Sequence, residues 1–144
     1  MKLLLDADGC PVVDLSVSIA KQYGIECLIL CDTSHEIVRE GARTIVLSKG
    51  PDSVDYALVN RVCPGDLVVT QDYGLAAMCL ARHATVLNQD GLQYDDGNLD
   101  ALLAARHAAG KIRRAGGRLR GPQKRTARQD ASFSQSLHVL LSQL

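Results

Sequence analysis

Residues 2–8, KLLLDAD, and residues 67–72, LVVTQD, are short apolar runs that end in aspartate: Leu3 to Leu5 lead into Asp6 and Asp8, and Leu67 to Val69 lead into Asp72. A parallel sheet buries continuous apolar runs of this kind on both faces, and open α/β sheets keep their sites outside the carboxyl ends of the strands. The three carboxylates are therefore expected on one rim.

Working outward, Lys2 to Asp6 reads as a strand, and Pro11 suits the first turn of a helix that runs to about Tyr23 and stops at Gly24. Ile25 to Leu30 reads as a second strand, CDTSHE as a polar loop, and Thr44 to Leu47 as a third strand. Asp52 to Val62 has helical spacing with Val54, Leu58 and Val62 inward. The strand Leu67 to Thr70, a helix from about Gly74 to Arg82 and the strand Thr85 to Leu87 follow. Strand and helix alternate, which predicts an α/β fold with a mostly parallel sheet. One domain is expected, with an α/β body over residues 1–97 and a basic helical extension over 98–144. In that extension Phe133, Leu137, Leu140 and Leu141 fall at helical spacing and are expected to pack back on the body.

The 144 residues are 47% hydrophobic, enough for a core, and with one Phe and no Trp that core is aliphatic. No apolar run has the length of a membrane span and the N-terminus lacks the pattern of a signal peptide, so a cytoplasmic protein is expected. The five cysteines, at 10, 27, 31, 63 and 79, form no paired CxxC framework. They read as thiols and small apolar fillers, with Cys10 bordering the acidic motif. The histidines at 35, 83, 107 and 138 show no ligand spacing.

The net charge of zero conceals a division along the chain. Residues 1–105 hold 7 Lys and Arg against 15 Asp and Glu, whereas residues 106–144 hold 9 against 1. The run from Arg106 through Lys111, Arg113, Arg114, Arg118, Arg120, Lys124, Arg125 and Arg128 has no intervening acid. Such a run is either a solvated face that offsets the acidic body or a surface for phosphates. The phosphate reading is preferred, with Lys111, Arg113, Arg114, Arg118, Arg120, Lys124 and Arg125 as candidate nucleic-acid contacts. Without base-stacking aromatics, such contacts would be backbone-directed and salt-sensitive.

Asp52 and Asp55 are three residues apart and share a helix face. Asp52 has a bland alternative, favouring the positive end of its helix; Asp55 lies a turn further in, where capping does not explain it. Bland duties also exist for the others: Asp8 could cap the helix near Pro11, Asp6 could form a turn, and Asp72 could cap the helix at Gly74. If Asp6, Asp8, Asp55 and Asp72 converge, two carboxylates about 4 Å apart repel by roughly 4 kcal/mol at an effective dielectric near 20. Protonation, basic side chains or a divalent cation would relieve this, and an oxygen-only donor set suits Mg²⁺ or Mn²⁺. A cation held there points to phosphodiester hydrolysis, with Thr70 in a supporting role that orients the rim.

The blocks KLLLDADGCPV, GPDSVDYALVNRV and GDLVVTQDYGLAAM, with the later Gly121, Pro122, Asp130, Phe133 and Leu137, closely resemble the bacterial YaiI/YqxD family over essentially the whole chain. That family resembles a branch of the PIN-like nuclease superfamily. The resemblance implies a three-layer, mostly parallel sheet with helices on both faces. It also implies a Mg²⁺- or Mn²⁺-dependent ribonuclease-like activity on Asp6, Asp55 and Asp72, with Asp8 as a fourth acid, and a possible homodimer. Departures from the family pattern fall at Gly9, Arg120 and Ala131 and leave the acids untouched.

Two other readings compete. LLLDADG also resembles the first motif of haloacid dehalogenase-type phosphatases, which would make Asp6 a nucleophile and Asp8 a general acid, with Ser48 and Lys49 nearby. The late acidic motif that such enzymes need is out of order, because Gly65 and Asp66 precede their strand and Asp95 and Asp96 follow no clear one. The third reading is a nucleic-acid-binding module that keeps the fold without catalysis.

Overall fold

The computed structural model describes residues 1–50, 52–116 and 124–143. Its centre is a parallel sheet of β1 (Lys2–Asp6), β2 (Glu26–Asp32), β3 (Arg43–Leu47), β4 (Leu67–Val69) and β5 (Thr85–Leu87), in the order β3-β2-β1-β4-β5. The helices are α1 (Val13–Gln22), α2 (Ser53–Arg61), α3 (Tyr73–Ala81), α4 (Asp96–Arg114) and α5 (Ala127–Ser142). This is the expected α/β architecture. The order reverses between β1 and β4, which places a topological switch point between those strands.

Period-two alternation divides the core in two. Leu3, Leu5, Ile29 and Val69 face α1 and α5, where they pack with Val17, Ile19, Phe133, Leu137 and Leu141. Leu4, Leu28, Leu30, Val68 and Val86 face the other way, onto Leu58 of α2, Leu75 and Cys79 of α3 and Leu99 of α4. The result is three layers, as expected. The predicted return of α5 is correct: Phe133, Leu137 and Leu141 are buried and Leu140 packs at their edge.

Local signals set most element ends. α1 closes on Gly24 at φ +66°, with the Gly24 amide donating to the Lys21 carbonyl and the Ile25 amide to the Ala20 carbonyl. That is a Schellman closure, and the left-handed residue it requires is a glycine at little steric cost. Gly91, at φ +86°, serves a different end, because a Cβ there would lie 2.7 Å from the Ser132 carbonyl oxygen and 3.0 Å from Phe133 Cα. The turn after β5 therefore approaches the α5 backbone as only glycine can.

Several expected boundaries are corrected. α1 starts at Val13, with Val12 at its N-cap and no side-chain cap bond, so Pro11 lies just outside and Asp8 does not cap the helix. β2 runs on to Asp32, because Cys31 and Asp32 pair in register with Val46 and Leu47; part of CDTSHE is strand rather than loop. β4 ends at Val69, one residue before Thr70, and Asp52 is the N-cap of α2 rather than its first helical residue. α4 begins at Asp96, fastened by a capping box between Asp95 and Asn98, so the division after residue 97 falls inside its first turn. The cysteines are free thiols; Cys27, Cys31 and Cys79 are the expected apolar fillers and Cys10 is partly so, but Cys63 is exposed.

At the amino edge of the sheet, Asp66 is a buried acid with a full set of partners. Its carboxylate accepts from the Lys2 ammonium (2.6 Å), the Lys2 amide (3.0 Å) and the Cys63 amide (2.8 Å). Burial pushes its pKa up, but the Lys2 hydrogen bond and the two amides outweigh burial and hold it below the usual carboxylate value. Asp66→Asn is expected to lower stability by about 2–3 kcal/mol at pH 7. Because the folded-state pKa is depressed, this contribution is present above the unfolded value of about 3.9 and disappears as pH falls through the folded one. Denaturant melts of both proteins at pH 7 and pH 3 should therefore differ more at the first pH than at the second.

Candidate functional site

Alternation along the strands also aims the acids. On β1, Asp6 continues the row of Leu4 toward the α2 side of the sheet, and on β2, Asp32 continues the row of Leu28 and Leu30 toward the same side. Thr70 follows Val68 in the corresponding row beyond β4. The carboxyl ends of three neighbouring strands thus deliver polar side chains to one side of one rim, with the switch point in the middle.

Asp6, Asp8, Asp32, Asp52, Asp55 and Asp72 line a single open cleft of about 790 Å³ at that rim. All four predicted site acids are among them. The same cleft is lined from α4 by Leu102, Ala105, Arg106, Ala109 and Arg113. The placement of the acids satisfies one of their bland duties as well. Asp72 caps α3, its Oδ1 accepting from the Leu75 amide at 3.1 Å. Asp52 occupies the N-cap of α2 at φ +60° without a side-chain cap bond, so its carboxylate does not make the capping bond.

Thr70 organises the centre of the site. Its hydroxyl donates to Asp6 Oδ2 at 2.7 Å and accepts from the Asp72 amide at 3.0 Å, so one buried side chain sets both the Asp6 carboxylate and the loop that presents Asp72. A second tie, from Gln71 Nε2 to the Gly9 carbonyl (2.9 Å), joins the loops after β4 and β1. Beneath them the buried Tyr94 hydroxyl donates to the Thr70 carbonyl at 3.4 Å.

Burial pushes the Asp6 pKa up to about 6, and the charges of Asp55, Asp72 and Asp8 add to the rise while the Thr70 hydrogen bond opposes it. Asp55 is raised too, by burial first and then by Asp72 and Asp52. The acids are therefore near enough to repel one another. Among the described residues, however, no three His, Cys, Asp or Glu side chains lie together as a ready-made ion site. The donor set itself fits a hard divalent cation, being all carboxylate oxygen, with Asp6 Oδ1 and Asp72 Oδ2 outside the hydrogen bonds just described.

Asp32 was missed by the sequence reading. The signal was present as LILCD, a third apolar run ending in aspartate, but the following TSHE made the whole stretch look like loop. Arg125 is a correction of another kind. Its Nε donates to Asp130, its Nη1 to Asp90 and its Nη2 to the Gln89 carbonyl, at 2.7, 2.8 and 2.6 Å. It ties the start of α5 to the turn after β5 and does not project as a phosphate contact. Lys111, Arg114 and Lys124 are exposed, and Arg118 and Arg120 lie outside the described residues. Ser48 and Lys49 do not line the cleft, Asp95 is spent on capping α4, and Asp66 sits at the far end of the sheet.

Fold and rim together define an open α/β protein with a carboxylate-lined cleft at its switch point. The chain belongs to the YaiI/YqxD family: the profile described as "Uncharacterized BCR, YaiI/YqxD family" matches residues 4–143. It is 52% identical over 143 residues to a UPF0178 protein of Exiguobacterium sibiricum, covering 99% of this chain and 98% of the relative. A UPF0178 protein of Ruminiclostridium cellulolyticum is 50% identical over 98% of this chain and 92% of its own length. One from Lachnoclostridium phytofermentans is 41% identical over 100% and 99%. No solved structure matches the chain. Among the described residues no helix is long and apolar enough to cross a membrane.

The raised Asp6 pKa makes a prediction for the protein in metal-free buffer. Its folded value exceeds the ordinary carboxylate value, so the folded state holds the extra proton and ionising Asp6 costs stability. Stability should fall as pH rises from about 4 to about 6 and then level off. Asp6→Asn, which keeps an acceptor for Thr70, should remove that slope and stabilise the protein at pH 7 by roughly 1–3 kcal/mol. Thermal melts across pH 4–8 check this; an unchanged slope in the variant would place the titrating group elsewhere.

Proposed function

We propose that the protein is a divalent-metal-dependent nuclease of PIN-like type that hydrolyses phosphodiester bonds, with RNA as the substrate. The observation that carries this reading is a half-buried, proton-hungry carboxylate at the switch point, Asp6, sharing one cleft with Asp8, Asp55 and Asp72. Mg²⁺ or Mn²⁺ would be held by these four acids, and such an ion supplies an activated water and neutralises a phosphoryl oxygen. Thr70 keeps one Asp6 oxygen engaged and so fixes the orientation of the other. Asp72 uses Oδ1 to hold α3 and has Oδ2 to offer. Asp55 and Asp52 border the cleft from α2, with Asp52 adding charge at its mouth. Below about pH 6 Asp6 retains its proton, which weakens the cluster as a cation site.

A second reading, nucleic-acid binding without cleavage, is favoured by one observation: the described acids are not gathered into a preformed ion site. Metal titration separates the two. For a nuclease, Mn²⁺ should raise the melting temperature at pH 7.5, by an amount equivalent to about 2.7 kcal/mol at a hundred times its dissociation constant, and much less at pH 5. Asp6→Asn and Asp72→Asn should each abolish that shift and lower cleavage of a single-stranded RNA at least about 100-fold. Absence of both the Mn²⁺ shift and cleavage in the unmodified protein would leave the binding module.

A further inference from the structure

The part of the cleft lined by α4 has a chemistry of its own. Leu102, Ala105, Arg106, Ala109 and Arg113 form one stripe of α4 along the cleft, with the two arginines seven residues apart. Seven residues bring a helix back to within about 20° of the same direction, and they separate the two positions by roughly 10 Å along the axis. Lys111 and Arg114 do not line the cleft. The arginines line the same cleft as a concentration of aspartates, yet among the described residues neither Arg106 nor Arg113 forms an ion pair. Among the described residues of the basic run, these two guanidiniums line the same cleft as the acids and are paired to none of them.

We infer that Arg106 and Arg113 form a phosphate-gripping wall that lays a single-stranded nucleic acid along the cleft, its backbone between α4 and the carboxylates. The inference rests on the nuclease reading for its orientation, because a strand held there presents a phosphodiester to Asp6 and Asp72. A bipolar cleft suits such a ligand: the guanidiniums meet non-bridging phosphate oxygens, while the carboxylates repel the same oxygens unless a cation intervenes. Ala105 and Ala109, on the same stripe as the arginines, keep the wall low enough for a ribose-phosphate chain to lie close. A duplex is stiff and keeps its two backbones apart, so it cannot lay one of them along the cleft floor as a flexible single strand can. Arg106 and Arg113 are positioning residues in this scheme, and the acids are the reacting ones.

The experiment measures binding of a labelled 12-nucleotide oligouridylate by fluorescence anisotropy in EDTA, as a function of salt, with the corresponding DNA strand and a blunt 12-base-pair RNA duplex in parallel. The double variant Arg106→Gln/Arg113→Gln should bind the single strand at least about tenfold more weakly, and its log–log salt slope should shrink by about 1.4, or 0.7 per lost phosphate contact. Lys111→Gln/Lys124→Gln should change the slope by less than half as much, and Arg106→Lys/Arg113→Lys should recover most of it. A circular-dichroism melt confirms that the Gln variant, altered only at exposed positions, remains folded. An unchanged slope in the Gln variant overturns the inference, as does duplex binding as tight as single-strand binding. RNA and DNA arms that agree assign the grip to the phosphates alone, and preference for RNA adds a contact to the 2′-hydroxyl. Failure of the nuclease reading is read separately, as absent Mn²⁺-dependent cleavage with the slope change intact.

Discussion

A carboxylate in the last residue of a central strand needs something to hold it, and here that is the hydroxyl of Thr70. The 2.7 Å hydrogen bond crosses the point where β1 and β4 part company and their connecting helices leave in opposite directions. Such a point opens a crevice in any sheet of this order. What distinguishes this chain is the content of the crevice. The row that begins with Leu4 in the core ends with Asp6 at the rim, so the strand that makes the sheet also carries a charge into a half-buried position. Burial and neighbouring acids oppose ionisation and Thr70 favours it. The balance leaves a carboxyl group that changes state near pH 6.

The surroundings follow from that balance. Asp72 caps α3 and Asp55 lies in the first turn of α2, yet both also raise the cost of ionising Asp6. A fold that needed only a helix cap at Asp72 could use Asn, Ser or Thr with similar effect. Carboxylates at Asp6, Asp55 and Asp72 accumulate negative potential in one cleft, an arrangement that lowers stability when nothing offsets it. The arginines of α4 line the same cleft without neutralising the acids by direct pairing. Both signs of charge remain open to a ligand.

Much of the fold was legible because its signals are local. Apolar runs of three to five residues marked the strands, Gly24 marked a helix end, and the spacing of Phe133, Leu137 and Leu141 marked a returning helix. Asp6 and Asp72 were legible as site residues because each terminates such a run. Asp32 terminates one too, but its strand continues only because Cys31 and Asp32 find partners in β3, a pairing fifteen residues away that local composition does not reveal. Arg125 shows the same limit from the other side. Within the sequence it is one more cation in a basic run, whereas its partners Asp90 and Asp130 come from separate elements. Periodicity states that Arg106 and Arg113 share a side of α4; the packing of Leu99 and Leu102 decides which side lines the cleft.

The Lys2–Asp66 tie lies at the amino edge of the sheet, the full length of β1 and β4 away from the rim. Cohesion and reactivity are thereby assigned to opposite poles of the same two strands. The rim can carry unfavourable electrostatics because the far pole is well satisfied. Changes of acid, cation or spacing around the cleft can accumulate without loosening the joint that keeps β1 beside β4, which leaves the chemistry of the rim free to diversify while the scaffold endures.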